Sequence, residues 1–355
     1  MVSIIIRKRC DFTQVTKEKV PLISVVVPAF DRKEYLLEAL TSIKEQSLRD
    51  DLFEVIVSKN FEDEKIDSEI SSLGFKSTQC SGSMGERLAQ ALDLSRGQII
   101  SFLQDDDIFE KDKLSTIMEL FIKYDKVNYI HNAYSKIDSF GNMLTSKIKT
   151  KDHRLEIYKN CEDEKKLKVL IKNQLDFNLS CISIRKEIVV RYLSLLKKIT
   201  GADDTFMFAI SAISCQQMLF TDSTLTRYRI HNSATVKNGT FKEMLLNNSF
   251  TFDRQIRTLS LLKDEFNDTY LKNVLKEGVN YRIAAKNIIQ FEKLNRSQLF
   301  NTTLELIKNH KTLRSGFYFK LLLGNMILLI NQVIAKMIYY CYTKIRYLNS
   351  FQINR

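Results

Sequence analysis

The first hundred or so residues alternate between short apolar runs and segments in which apolar side chains recur every three or four positions. Short β-branched runs predict strands, and the longer spacing predicts amphipathic helices. Strands are predicted at residues 22–27, 53–57 and 98–103, the first ended by Pro28, and helices at residues 34–46, 84–94 and 112–124. Strands and helices that alternate at these distances predict a parallel sheet covered by helices.

The second half of the chain divides differently. Further strands are predicted at residues 127–130 and 181–184, and further helices at residues 167–172 and 205–214. From about residue 240 onward the spacing is helical, with few strand signals. We therefore expect four parts, which are an N-terminal extension (1–20), an α/β domain (21–237), a helical region (238–309) and a C-terminal segment (310–355).

The C-terminal segment contains an apolar stretch, residues 317–342, that polar side chains interrupt. At 100° per residue its five polar residues fall within about half of the helix circumference, and they are Lys320, Asn325, Asn331, Gln332 and Lys336. A helix of this kind lies in a membrane interface, or it packs on the main domain or on a partner chain, and both interpretations stay open. The polar interruptions disfavour a membrane-spanning helix.

Charge bears on the same segment. The chain carries 54 Lys and Arg against 42 Asp and Glu, a net charge of +12, and eight basic residues but no acidic ones lie between Leu306 and Arg355. Such a basic end is suited to an anionic surface. Nucleic acid is disfavoured because the segment is too apolar for a usual RNA-binding arm. The predicted partner is therefore a membrane surface, with basic flanks on acidic headgroups.

Composition excludes several classes of protein. With 44% hydrophobic and 27% charged residues the chain is neither disordered nor collagen-like, and the lack of an internal repeat argues against a solenoid. The six cysteines are far apart with no CxxC pair, which predicts free thiols in a reducing compartment. The opening apolar run is too short for a signal peptide. We expect a protein on the cytoplasmic side of the membrane.

Three adjacent carboxylates, Asp105, Asp106 and Asp107, directly follow the third predicted strand. In open α/β sheets, ligands bind beyond the carboxyl ends of the strands. Adjacent carboxylates repel one another, and a divalent cation such as Mg²⁺ or Mn²⁺ would relieve that repulsion. The alternative is a solvated acidic loop that caps the next helix. The residues alone leave both interpretations open.

A second acidic pair, Asp203 and Asp204, precedes an apolar helical segment. A carboxylate here can act as a general base, but an acidic residue before a helix is also a good N-cap. Taken alone, the pair favours capping. His231 is one of only four histidines, and a lone histidine is more often a satisfied residue than a ligand.

Several of these motifs resemble, in order, those of the inverting family 2 glycosyltransferases of the GT-A fold. The matching segments are residues 23–32, 54–57, 96–107, 201–204 and 228–233, within a region of about residues 21–235. The resemblance implies an α/β fold with a Rossmann-like mixed sheet that binds a nucleotide-diphospho-sugar. The chain has no Trp and hence no Gln-x-x-Arg-Trp motif. A single-transfer enzyme is therefore expected rather than a processive synthase.

The resemblance also implies a role for each matched residue. Asp106 would bind the metal that bridges the donor diphosphate, His231 would join the metal or the diphosphate, and Asp204 would be the general base, with Asp203 as second choice. The residues expected to bind the nucleotide-sugar are Pro28, Ala29, Phe30 and Asp31 around the base, Arg87 near the donor, and Asp105 facing ribose or metal.

One position departs from the family pattern. The second strand usually ends in an acid that accepts a hydrogen bond from uracil, whereas here Lys59 and Asn60 follow Ser58. A cationic lysine cannot accept that bond. Either Asn60 takes this role or the base is held differently, so the donor nucleotide stays open.

The expected function is transfer of one sugar, with inversion, from a nucleotide-diphosphate sugar to a hydroxyl of a glycan or lipid-linked glycan, assisted by Mg²⁺ or Mn²⁺. The alternative is a degenerate protein of the same fold that binds nucleotide-sugar and membrane without turnover.

Overall fold

A mixed nine-stranded β-sheet runs through the part of the chain that the structure, a computed structural model, describes. The described residues are 21–30, 33–144, 155–158, 164–172, 175–214, 217–231, 241–267, 270–290, 296–308, 316–330, 333, 334, 337 and 341. The strands are β1 (Ile23–Ala29), β2 (Phe53–Lys59), β3 (Lys76–Gln79), β4 (Ile99–Phe102), β5 (Ile108–Phe109), β6 (Val127–Ile137), β7 (Leu155–Tyr158), β8 (Ile182–Arg185) and β9 (Gln217–Arg229).

Helices cover this sheet and continue beyond its last strand. In the described residues they are α1 (Lys33–Lys44), α2 (Glu64–Ser72), α3 (Met84–Leu94), α4 (Lys113–Lys123), α5 (Glu164–Lys172), α6 (Lys186–Arg191), α7 (Leu193–Leu196), α8 (Asp203–Ile213), α9 (Phe241–Glu265), α10 (Leu271–Ile289), α11 (Arg296–Lys308) and α12 (Gly316–Ile330). The helices predicted at residues 84–94 and 112–124 match α3 and α4 to within one residue at either end.

The strand order is β3-β2-β1-β4-β8-β6-β9-β5, and β7 pairs with β9. The first four strands are parallel, as predicted, but β8 runs antiparallel to both of its neighbours, β4 and β6. Because β1, β2 and β4 point the same way, their carboxyl ends meet at one edge of the sheet. The residues that follow these ends are Phe30, Asn60 and the segment from Leu103 to Asp107.

Pro28 does not end the first strand, contrary to prediction. It stays in β1 and pairs with Ser58 of β2, whereas pairing with β4 stops at Val26. A proline cannot donate a backbone hydrogen bond, so it is tolerated in a strand only where no neighbour requires one. Pro28 lies beyond the end of the β1–β4 pairing, so its lack of a backbone N–H removes no hydrogen bond to β4.

Alternate side chains of the central strands feed two apolar cores on opposite faces of the sheet. Val25, Val27 and Val55 belong to the core that contains residues of α1, α2 and α4. Val26 and Ile56 point the other way, into the core that contains residues of α3, α6 and α8. Both faces are buried, which explains why β1 appears in the sequence as a continuous apolar run.

The predicted helical region is observed as α9, α10 and α11. Leu259 and Leu262 of α9 and Leu275 of α10 belong to the same core as the helices on one face of the sheet. An ion pair between Lys168 of α5 and Glu277 of α10 adds a second connection. The boundary predicted between residues 237 and 238 lies outside the described residues.

The helix α12 packs against α10 and α11 along one side. Leu321, Asn325 and Leu328 are buried there. Asn325 Nδ2 donates to the backbone oxygen of Ala284 at 3.1 Å, and its Oδ1 accepts from Asn287 Nδ2 at 3.2 Å. One residue of the predicted polar face thus points into the protein, so this part of the segment follows the packed alternative.

No helix among the described residues has both the length and the hydropathy that a membrane span requires.

Several elements were not predicted because they carry no apolar pattern. The edge strand β3 reads Lys-Ser-Thr-Gln and is mostly exposed, and α2 buries only Ile66 and Ile70. The long strand β9 was also missed, and β6 continues to Ile137 beyond the predicted residue 130. Their pairing with one another, rather than a local pattern, accounts for this length.

Candidate active site

The base-binding end of the predicted site lies where β1 and β4 end. The backbone N–H of Phe30 donates to Asp105 Oδ2 at 2.8 Å, so the first acid of the triplet holds the segment after β1. The Arg87 guanidinium lies over the Phe30 ring at 4.7 Å from its centroid. Pro28 and Ala29 are buried in β1, and Asp31 lies outside the described residues.

Lys59, which departs from the family pattern, is turned into the protein. Its Nζ donates to the backbone oxygen of Phe61 at 2.9 Å and to Asp67 Oδ2 at 3.0 Å. Because Ala29 pairs with Lys59, the next residue, Asn60, follows β2 beside Phe30, and it is half-buried. The Lys59 ammonium group is therefore directed away from the base-binding end. The residue that lies near that end is Asn60, which has a neutral amide side chain.

Asp106 and His231, both predicted at the metal, meet in the structure. His231 Nε2 lies 2.9 Å from Asp106 Oδ2, with side-chain exposures of 2% and 10%. The edge of the Tyr35 ring packs on the histidine, with the ring centroids 4.8 Å apart. These contacts hold His231 beside the carboxylate, although the two residues are far apart in the sequence.

Asp107, the third acid, is tied into the fold rather than free to share a cation. Its carboxylate accepts from Ser180 Oγ at 2.6 Å, from Asn178 Nδ2 at 3.0 Å and from the backbone N–H of Arg229 at 3.0 Å. Burial raises the pKa of Asp107 to about 7, and the nearby charge of Asp106 adds to the shift. The three adjacent carboxylates therefore contact different partners: Asp105 the backbone of Phe30, Asp106 the side chain of His231, and Asp107 the groups just described.

The alternative of a solvated acidic loop is wrong. Asp105 and Asp107 are fully buried, and Asp106 is only 7% exposed. Asp112, which precedes α4, makes no side-chain capping bond either. Burying three acids costs folding free energy that hydrogen bonds offset only in part, and such clusters are typical of functional sites.

The second acidic pair opens α8 but does not cap it in the usual way. The N-cap residue is Ala202, whose side chain makes no capping hydrogen bond. Asp204, which is partly accessible, accepts from its neighbour's backbone N–H, that of Thr205, at 2.7 Å. Asp203 is buried, and among the described residues its Oδ2 has no hydrogen-bond partner.

Burial raises the pKa of both carboxyl groups. For Asp203 the pKa rises to about 7, with a further contribution from the charge of Asp204. For Asp204 burial is again the largest cause, and backbone hydrogen bonds and the Arg282 charge oppose it. A carboxyl group whose pKa is raised toward neutral pH is a better proton acceptor than an ordinary aspartate.

Asn178 connects the two acidic groups. Its side-chain Nδ2 donates to Asp107 Oδ2 at 3.0 Å, and its backbone N–H donates to Asp204 Oδ2 at 3.3 Å. The residue adopts φ of 71°, a left-handed conformation that asparagine tolerates better than most residues. One residue thus contacts both the acidic triplet and the acidic pair, so the two groups lie close together.

Comparison with known proteins identifies part of the chain. Residues 24–192 match the model of the family described as Glycosyl transferase family 2. These residues form a family 2 glycosyltransferase domain. The resemblance stated from the sequence is thereby confirmed for this part of the chain.

Two relatives of the family 2 domain have been described in bacteria. A Rickettsia felis protein described as an uncharacterized glycosyltransferase is 26% identical over 149 residues, which are 39% of this chain and 24% of that protein. A GalNAc(5)-diNAcBac-PP-undecaprenol β-1,3-glucosyltransferase of Campylobacter jejuni is 30% identical over 135 residues, 36% of this chain and 40% of that protein. The chain thus matches less than half the length of either relative.

A solved structure extends the likeness beyond the family 2 domain. The mannosyltransferase PcManGT from Pyrobaculum calidifontis, in complex with GDP-Man and Mn²⁺, matches with a TM-score of 0.52 at 14% sequence identity. The match covers 91% of this chain and 88% of that one. The predicted GT-A fold, a mixed sheet with helices on both faces and a helical C-terminal region, is confirmed.

Two residues near Asp204 could not be predicted from the sequence, and one lies inside and the other beyond the family 2 domain. Asp176 accepts from Thr205 Oγ1 at 3.3 Å, beside Asp204. Arg282 of α10 is half-buried, and its charge acts on both Asp176 and Asp204. Asp176 stands in no motif, and Arg282 sits in a helical pattern where an arginine usually marks a solvated face.

Replacing Asp176 with asparagine is expected to change how stability depends on pH. Burial raises the pKa of this carboxyl group from 3.8 to about 7. Between these pH values the folded chain keeps a proton that the unfolded chain has lost, so wild-type stability falls as the pH rises through the window. For an isolated group, a shift of this size is worth on the order of 4 kcal/mol.

An asparagine side chain at position 176 has no proton to lose, so the stability of this variant relative to wild type should rise between about pH 4 and pH 8. Urea unfolding at the two ends of this range measures the difference. The exposed carboxylate of Asp93 on α3 provides the matched control, because Asp93→Asn should leave the pH dependence unchanged. Equal pH dependence in wild type and Asp176→Asn would contradict the assignment.

The residues at the acidic triplet fit a divalent cation in part. Among the described residues, no group of three His, Cys, Asp or Glu side chains is arranged to hold a metal ion. The family 2 domain instead offers one carboxylate, Asp106, and His231 beyond it. Mg²⁺ and Mn²⁺ sites that also bind phosphates commonly use only one or two protein ligands and fill the other positions with phosphate oxygens and water. The donor set is compatible with such a site and not with a metal site built from protein alone.

Proposed function

We propose that this chain transfers a single sugar from a nucleotide-diphosphate sugar to a hydroxyl group of a glycan, with inversion at the anomeric carbon. The observation that carries the proposal is the double contact of Asn178 with Asp107 and Asp204. A one-step displacement requires a leaving-group end and a proton-accepting end on either side of one reacting carbon. The two hydrogen bonds of Asn178 keep the acidic triplet and the acidic pair near each other, which supports such an arrangement.

At the leaving-group end, Asp106 and His231 would hold Mg²⁺ or Mn²⁺. The cation, when bound, supplies positive charge for the diphosphate as negative charge develops on it. Asp105 would contribute by fixing the segment after β1 through the Phe30 N–H, and the nucleotide base would lie against Phe30, Asp31 and Asn60. Arg87, whose guanidinium covers the Phe30 ring, would keep that ring in place.

At the other end, Asp204 would take the proton from the acceptor hydroxyl. An alcohol is a poor nucleophile, and a positioned base contributes about 10²- to 10⁴-fold to the rate. Asp204 is partly accessible whereas Asp203 is buried, which supports Asp204 as the group that reaches the acceptor. Asp203 would be the second candidate for this role.

Similar proteins support the donor and the acceptor classes. The archaeal mannosyltransferase was solved with GDP-Man and Mn²⁺, and the Campylobacter relative is named as a glucosyltransferase of an undecaprenol-linked glycan. We infer a nucleotide-diphosphate sugar as donor and a glycan or lipid-linked glycan as acceptor for this chain.

The test is a screen of the full chain for release of sugar from UDP-, GDP- and dTDP-sugars, with Mg²⁺, with Mn²⁺ and with EDTA. Release from at least one donor that depends on the cation is the expected result. Nucleotide binding without release from any donor would instead favour the alternative, a degenerate binding protein. Absence of both binding and release would overturn the proposal.

The exposed side of the C-terminal helix supports a place for the protein at a membrane surface, which we propose to be the cytoplasmic one. Leu323, Met326 and Ile330 are 46%, 42% and 84% exposed, on the side of α12 away from α10. The outward apolar residues continue beyond α12 with Val333, Ile334 and Met337. The surrounding fifty residues carry eight basic and no acidic side chains, so an anionic lipid surface complements the segment in charge as well as in polarity.

Vesicle binding tests this placement. Burial of one large apolar side chain contributes about 2 kcal/mol, so Met326→Asp with Ile330→Asp should weaken binding to phosphatidylglycerol vesicles more than tenfold. The control is Ile122→Asp, which changes another exposed isoleucine, on α4. Equal binding of both variants, or equal binding to neutral phosphatidylcholine, would argue against an anionic membrane. A concentration-dependent dimer lost in the double variant would assign the face to a second copy of the chain.

A further inference from the structure

Three aromatic side chains meet beside the proposed site. Tyr134 of β6, Phe177 and Tyr228 of β9, here called the aromatic trio, contact one another edge to face with ring centroids 5.4 to 5.9 Å apart. Each of the three keeps part of its surface accessible. By contrast, Tyr129 and Phe208, which form a similar edge-to-face pair in the core, are fully enclosed. The trio is therefore an aromatic surface and not a part of the core.

The trio lies near both acidic groups. The Tyr228 hydroxyl is affected by the charges of Asp106, Asp107 and Asp204; together with burial, the largest cause, they raise the pKa of Tyr228 to about 12. Phe177 stands between Asp176, which contacts Thr205, and Asn178, which contacts Asp204. The backbone of Phe177 therefore lies next to the end of the site where Asp204 lies, and its ring contacts Tyr134 and Tyr228.

The chemistry of this surface fits a saccharide ring better than the other parts of a donor. In the proposed function a nucleobase would stack at Phe30, at the other end of the site, and the diphosphate would lie at the cation held by Asp106 and His231. A pyranose ring has an apolar face of C–H groups that packs on an aromatic ring, and hydroxyl groups at its rim that donate to carboxylates. Both kinds of partner are present around Phe177.

We propose that the aromatic trio binds the pyranose ring of the acceptor, with Phe177 as the stacking surface and Asp176 as a partner for its hydroxyl groups. This inference rests on the proposed function and deepens it, because it assigns the acceptor site and predicts a cyclic sugar rather than an acyclic polyol at the acceptor position. The position of Phe177 next to Asp176 and Asn178 is what connects the stacked ring to the proton-accepting end.

The experiment uses the full chain and methyl pyranosides of glucose, galactose and N-acetylglucosamine as probes. Saturation-transfer NMR should give strong signals for the C–H protons of one face of at least one pyranoside. Phe177→Leu, which keeps an apolar side chain but removes the ring, should weaken this binding about tenfold, and Phe177→Tyr should retain it. Phe300→Leu, at an exposed position of α11, is the matched control and should bind as wild type does.

Sugar release from the donor, measured without any pyranoside, separates the acceptor site from the donor site. Phe177→Leu should release sugar at a rate within about twofold of wild type. Equal loss of release and of pyranoside binding would assign the ring to the donor and overturn the proposal, as would a wild-type protein that binds no pyranoside or a Phe177→Leu variant that binds as wild type does. Pyranoside binding that depends on Phe177, in a protein that releases sugar from no donor, would leave the site standing and refute only the proposed transfer.

Discussion

Asp106→Ala is expected to lower the rate of sugar release from the donor by about 10³-fold or more. Asp106 is the one acid of the triplet that faces His231, whereas Asp105 and Asp107 are held by backbone and side-chain donors of the fold. A cation at a leaving group is worth several kcal/mol, and each 1.4 kcal/mol corresponds to about tenfold in rate. Removal of its carboxylate ligand should remove most of that contribution.

Nucleotide binding gives a second measurement for the same change. Titration calorimetry of the nucleoside diphosphate with and without Mn²⁺ should show that the cation strengthens binding to wild type but not to Asp106→Ala. Asp93→Ala, which removes an exposed carboxylate from α3, should behave as wild type does in both assays. Full activity in Asp106→Ala would refute the metal-binding role of this residue.

Asp204→Asn is expected to reduce transfer to the acceptor by about 10² to 10⁴-fold while nucleotide affinity stays within a few-fold of wild type. The amide keeps the shape of the side chain but cannot accept a proton. Burial raises the pKa of Asp204 above its usual value, so the wild-type rate should increase with pH as this group loses its proton. That limb of the pH–rate profile should be missing from the variant.

The variant also has a structural cost that needs its own measurement. Asp204 accepts from the backbone N–H groups of Thr205 and Asn178, and an asparagine can accept only through its oxygen. One backbone donor then loses its partner, which costs about 1 to 3 kcal/mol of stability. Urea unfolding of Asp204→Asn measures this cost separately from activity. A larger loss of transfer in Asp203→Asn than in Asp204→Asn would reverse the two roles.

The fold could be predicted from the sequence wherever burial on both faces of the sheet left a long apolar signal. The strands β1, β2 and β4 and the helices α3 and α4 are of this kind. Elements with a weak signal were missed: β3 is an exposed polar edge, and β9 follows from its pairing with β6, β5 and β7. Pairing between distant segments leaves no local pattern in the chain.

Only part of the candidate site could be predicted, because contacts between distant residues leave no local pattern in the sequence. Residues that belong to motifs, such as Asp106, Asp204 and His231, could be named from the sequence, and the structure then brought Asp106 and His231 to 2.9 Å. Asn178 and Arg282 could not be named, since neither stands in a motif. Each acts through its distance to residues far away in the chain.

The C-terminal helix separates what the two kinds of information decide. Its apolar character and basic surroundings are properties of composition, and the sequence alone determines them. Which side of α12 is buried depends on the helices beside it. Asn325 points inward because it forms hydrogen bonds with the Asn287 side chain and the Ala284 backbone oxygen of α10.

For the whole protein, the sequence determined the sheet-and-helix class, the family resemblance and the identity of most acids at the site, because these depend on local pattern and residue type. Only the tertiary structure decided that the three adjacent acids have three different partners, that Asn178 joins both acidic groups, and that an arginine beyond the family 2 domain acts on Asp204. Hydrogen bonds and charges act through space over a few ångströms, so they depend on distances that chain folding alone sets.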